Sequence, residues 1–70
     1  MRMIHRGFKV EQVLVSKGID ISRLSQLVNL TKDHLYVLLG DRFLEYDIID
    51  FIGKHVDHDF SNEFPEMKRL

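Results

Sequence analysis

Apolar residues recur along this chain every three or four positions, and each such run is cut off after two or three helical turns. Val10, Val13 and Leu14, with Phe8 a further candidate, share one helical face up to Lys17, and Gly18 closes that segment. Leu24, Leu27 and Val28 form a second face, Leu35, Leu38 and Leu39 a third, and Ile48, Ile49, Ile52 and Val56 a fourth. No stretch alternates with a period of two. The pattern predicts an all-α fold, a compact bundle of four to five short helices, with residues 1–70 forming a single domain.

Capping residues set the expected boundaries. Ser22 is placed to cap the second helix and Thr31 the third, with Gly40 closing the third. In the fourth, Asp47 and Asp50 come early and Lys54 late, as the helix dipole favours. Asp59-Phe60-Ser61-Asn62-Glu63-Phe64-Pro65 reads as a capped turn or short fifth helix that Pro65 stops from continuing, and the residues from Met67 onward are expected to fray. A chain of 70 residues buries only about 60% of its unfolded surface. Without cysteine, neither a disulfide nor a thiolate metal site supports so small a core.

Several function classes fit poorly. No apolar run approaches the ~18 residues that cross a bilayer, and Met1-Arg2-Met3-Ile4-His5-Arg6 is too short and too charged for a secretory signal. A cytoplasmic location is therefore expected. There is no glycine-rich phosphate loop, no nucleophile with a placed base, and little room for a substrate cavity, so neither an enzyme nor a cofactor is expected. His55 and His58 have the spacing of two metal ligands on one turn, but a structural site wants four, so metal binding is not expected. His5 and His34 read as surface residues.

Net charge is −1, unpromising for a nucleic-acid partner until it is divided. Residues 1–36 hold six Lys/Arg and three Asp/Glu, whereas residues 37–70 hold four and eight. The first half is thus +3 and the second −4, so a phosphate backbone would meet the first and the second would face away.

The connection between the second and third helices carries the functional argument. Only Asn29-Leu30-Thr31 separates them, too short a link for any but a steep crossing. Ser25 is small where the helices would cross closely, and Asn29 falls where a left-handed backbone is needed, which asparagine tolerates. With Leu24, Val28, Leu30, Leu35 and Leu38 inward, Asp33, Tyr36, Val37 and Gly40 turn outward, and Thr31 and Lys32 occupy the N-terminal tip of the third helix.

Residues 21–40, ISRLSQLVNLTKDHLYVLLG, resemble the helix-turn-helix of the phage lambda repressor and Cro family, also called the xenobiotic-response-element family. Ser25, Asn29, Leu30 and Thr31 stand where that family has a small residue, the turn glycine, a hydrophobic residue and a serine or threonine. Gly7 to Gly18 is similar to its first helix, and Asp47 to Phe64 to its closing helices. Two departures are sterically mild, Ser25 for the usual alanine and Asn29 for the usual glycine. A third, the lack of the glutamine and arginine that often read bases, bears on which bases are read.

The resemblance implies a sequence-specific regulator of transcription, a repressor or mobile-element regulator, bound to double-stranded DNA with the helix at 32–39 in the major groove. Lys32 would donate to guanine, Asp33 accept from a cytosine amino group, and Tyr36 and Val37 meet thymine methyls. Thr31, Arg23 and Arg42 would hold phosphates, with Lys9 and an Arg2/Arg6 arm adding non-specific attraction. Family members often bind as dimers on half-sites about 34 Å apart.

Phe43, Tyr46, Phe51, Phe60, Phe64 and Met67 crowd the acidic second half, with Phe51 off the inward stripe of its helix. Either a fifth helix folds back over this cluster, or Phe51, Phe60 and Phe64 form a homodimer surface. The competing functional reading is a bundle of this shape that binds a protein partner and has little affinity for DNA.

Overall fold

The computed structural model describes residues 4–69. Four α-helices follow one another: α1 (Arg6–Ser16), α2 (Ile21–Val28), α3 (Lys32–Leu39) and α4 (Tyr46–Val56). Two 3-10 turns, Phe60–Asn62 and Pro65–Arg69, follow α4, and the described residues contain no strand. None of these helices is long and apolar enough to cross a membrane.

Helices of 8 to 11 residues are marginal in water, so burial of their apolar stripes must hold them. α3 packs against both α1 and α2, and α2 also packs against α4. Their shared core joins Val10 and Leu14, Leu24 and Val28, Leu35 and Leu39, then Leu44, Ile49, Ile52 and Val56. Leu30 and Leu38 are partly buried against it. Phe8 is not part of the core; its ring is exposed and meets the edge of His5.

The caps follow the sequence in part. Thr31 begins α3, its hydroxyl accepting from the His34 N–H at 3.2 Å, and Gly40 ends it. For α2 the cap is Asp20 rather than Ser22, with Asp20 Oδ1 accepting from the Arg23 N–H at 2.8 Å. Either residue is a good cap; Asp20 prevails because Ile21, half-buried against the core, already belongs to the helix. At α1 the His5 ring nitrogen accepts from the Phe8 N–H, a capping role for a residue expected only at the surface.

Two close backbone approaches lock the ends of the bundle. The first N–H groups of α1 donate to the segment after α3, Arg6 to the Arg42 carbonyl and Gly7 to that of Asp41. A Cβ on Gly7 would lie 2.2 Å from the Leu39 carbonyl oxygen, so only glycine permits this contact. At the other end Asp57 adopts a left-handed conformation (φ 56°), letting the His58 N–H return to the Gly53 carbonyl at 2.9 Å. The chain then folds back over α4, where a Cβ on Gly53 would stand 2.6 Å from the His58 carbonyl oxygen.

This return buries Phe60 and Phe64. Of the three aromatics read as a dimer surface, only Phe51 keeps substantial exposure, its ring tilted against that of His55. Met67, expected to fray, is half-buried on the core within the second 3-10 turn, while Leu70 lies outside the described residues.

Asp59 organises this return. Its carboxylate accepts from the Ser61 hydroxyl at 2.6 Å and the Ser61 N–H at 3.0 Å, bonds that hold its pKa below the usual value, the hydroxyl most of all. A lowered folded-state pKa stabilises the fold above the ordinary carboxylate pKa of 3.8, and that contribution fades as pH falls through the folded value. Acidification below that point should loosen the 59–64 segment, seen by amide exchange. Asp59→Asn, which still caps but does not titrate, should remove that part of the pH dependence. Gly53→Ala should destabilise the domain by about 1–3 kcal/mol, measured by urea unfolding, because the overpacked contact is backbone and cannot swing aside.

Candidate nucleic-acid interface

The link between α2 and α3 is fixed by local chemistry. Asn29 ends α2 in the left-handed region (φ 57°, ψ 42°), which asparagine enters at smaller cost than most residues with a Cβ. Ser25, expected to matter for its size, also donates its hydroxyl to the Leu30 carbonyl across the turn. That bond satisfies a partly buried backbone acceptor, a role alanine could not fill.

Beyond this turn one face of α3 is left uncovered. Thr31, Lys32, Asp33, Tyr36, Val37 and Gly40 are all exposed, Tyr36 by 60% and Val37 by 72%. Tyr36 and Val37 are adjacent on this face, and the opposite face of the helix is closed. Leu35 and Leu39 supply that closed face.

The seven candidate contact residues divide by position. Thr31, Lys32, Asp33, Tyr36 and Val37 share the outward side of α3 and its tip. The Thr31 hydroxyl accepts within the cap, which leaves its proton free to donate to an anion. Asp33 lies in the first turn of α3, where its charge also complements the helix dipole. Arg23 and Arg42 are exposed, Arg23 in the first turn of α2 and Arg42 after the far end of α3. An eight-residue helix spans about 12 Å, which separates Lys32 at the start of α3 from the end after which Arg42 follows. Among the described residues, the side chains of Lys32, Arg23 and Arg42 make no ion pair.

Arg6 departs from expectation. Its guanidinium lies over the Tyr46 ring, 4.2 Å from the centroid, and donates to the Leu44 carbonyl at 3.3 Å. It therefore ties α1 to α4, and its charge is not presented as part of a flexible arm; Arg2 lies outside the described residues. The sequence carries no signal for this contact, because Arg6 and Tyr46 are 40 positions apart. Lys9 is half-buried on α1.

The two spaced histidines are each engaged locally. His55 Nδ1 donates to the Phe51 carbonyl, and His58 Nε2 to Glu63, both at 2.9 Å. Among the described residues no group of three or more His, Asp or Glu side chains is placed to hold a metal.

No family model, curated protein or solved structure matches the chain.

The left-handed turn is directly testable. Asn29→Gly should leave stability within a few tenths of a kcal/mol, whereas Asn29→Val should lose about 1–3 kcal/mol, since a β-branched residue is strained at positive φ. Ser25→Ala should cost about 1 kcal/mol by leaving the Leu30 carbonyl unpaired. Urea midpoints of the three variants provide the comparison.

Proposed function

We propose that this protein is a sequence-specific DNA-binding regulator of transcription, a repressor or mobile-element regulator, without catalytic activity. On this reading α2 and α3 form a helix-turn-helix of the lambda repressor and Cro kind, and α3 enters the major groove. The observation that carries it is the uncovered face of α3, held out beyond the left-handed Asn29 by two short helices whose other faces are buried. Lys32 then donates to guanine O6 or N7 and Asp33 accepts from a cytosine amino group, while Tyr36 and Val37 lie against thymine methyls. Arg23, Arg42 and the Thr31 hydroxyl hold phosphates and fix the register. A single recognition helix gives limited affinity, so two copies on adjacent half-sites complete the reading, with Phe51, the exposed one of Phe51, Phe60 and Phe64, available to such an interface.

A protein-docking role is the second reading. It is favoured by the apolar Tyr36 and Val37, and by the single lysine and single aspartate that leave the α3 face without net charge.

Salt separates the two. With Arg6 engaged internally and Lys32 on a base, Arg23, Arg42 and Lys9 remain for about three phosphates per copy. Affinity for DNA should then fall about 40-fold per bound copy between 50 and 200 mM salt, whereas an apolar protein interface should change little. Selection from a random duplex library should return a palindromic consensus. Against that consensus, Lys32→Ala should lose about 1–3 kcal/mol of discrimination at one base position. Failure to recover any consensus, together with salt-insensitive binding to a protein, would reverse the order of the two readings.

A further inference from the structure

Beside the outward face of α3 lies a groove that shares Tyr36 alone with the proposed DNA contacts. It has a volume of about 240 Å³ and runs between the C-terminal half of α1, the 19–21 segment and α3. Its floor is apolar, formed by the buried Leu14, Leu24 and Leu39, with Ile19 and Ile21 as partly buried walls. A second, more open recess shares Val15, Ile19 and Asp20 with it and continues it to Gly18. The groove is therefore elongated.

Its rim has one sign of charge. Glu11, Asp20 and the Tyr36 ring edge the opening, and no lysine, arginine or histidine lines either recess among the described residues. Neither carboxylate is in an ion pair among those residues. Asp20 uses Oδ1 to cap α2, and Glu11 makes no hydrogen bond through its side chain among the described residues. Two carboxylates beside apolar walls repel an anion, gain nothing from a neutral hydrocarbon, and attract a positive charge carried on an apolar body. The exposed tyrosine face adds a cation–π partner.

We propose that this groove binds a small amphipathic organic cation, an aryl- or alkyl-ammonium whose apolar body lies on Leu14, Leu24 and Leu39 and whose charge lies between Glu11 and Asp20. This goes beyond DNA recognition and does not require it. If DNA recognition holds, the two are linked, because Tyr36 belongs both to the groove and to the outward face of α3. A ligand held there changes what Tyr36 can touch, and by reciprocity DNA changes the affinity for the ligand.

The test is an amide chemical-shift titration of the labelled chain alone, without DNA, using 2-phenylethylammonium. The neutral 2-phenylethanol and the anion phenylacetate serve as matched controls. Saturable shifts are expected at Val15, Ile19, Ile21 and Tyr36, with the cation binding about tenfold tighter than the alcohol, the ratio that one added charge interaction of roughly 1.4 kcal/mol gives. Glu11→Gln and Asp20→Asn together should reduce that preference to about twofold or less. Asparagine caps a helix as well as aspartate, so α2 should persist, and Glu11→Gln alone, which touches no cap, should give part of the same loss. Equal binding of all three probes, no saturable shifts, or an unchanged preference in Glu11→Gln would overturn the proposal. Because DNA is absent, none of these outcomes bears on the DNA reading.

Discussion

Asn29 takes the chain through a left-handed conformation between two helices of eight residues each, and the uncovered face of α3 depends on that reversal. Neither helix has the length to persist alone. Each is held because the turn lets Leu24 and Val28 on one and Leu35 and Leu39 on the other reach a common core. Were the turn to relax into regular helix, α2 and α3 would form a single rod and these two apolar pairs could not meet. The Ser25 hydroxyl on the Leu30 carbonyl and the Thr31 cap support the same geometry from either side. A face left open on α3 is thus a consequence of where the core closes.

The remainder of the fold serves to keep that small core closed. Gly7 lets the start of α1 approach the backbone after α3, and the guanidinium of Arg6 reaches across to Tyr46 on α4. Gly53 and the left-handed Asp57 return the chain so that Phe60 and Phe64 cover α4. With no cysteine to form a disulfide, these contacts between distant segments help hold a 70-residue chain together. They also bury Phe60 and Phe64, while Phe43 and Phe51 in the same half stay exposed.

What was legible in the sequence was local. The apolar stripes of α2, α3 and α4 give their inward faces correctly, because a period of 3.6 assigns a face whatever the partner is. Asn29 and Gly18 mark positive-φ positions through backbone sterics alone. The start of α2 was not legible, since Asp20 and Ser22 are equally good caps and only the packing of Ile21 separates them. Phe8 stands two residues before Val10, about 160° round the helix from it at 100° per residue, so its ring stays outside and the expectation that it joins the inward face fails. Arg6 on Tyr46 and Phe60 on α4 join residues whose proximity no spacing rule encodes. The candidate contact residues on α3 follow from its stripe, whereas the groove beside them needs three separate segments and appears only in three dimensions.

If α3 presents its outward face to DNA, as proposed, an amide chemical-shift map of the labelled chain titrated at low salt with a duplex of about two helical turns will show it. The account predicts that the largest shifts cluster on residues 31–37, with smaller ones at Arg23 and Arg42, while α4 and the 3-10 turns are unmoved. Shifts confined to α4 and the aromatic C-terminal segment, or none at all, would contradict it.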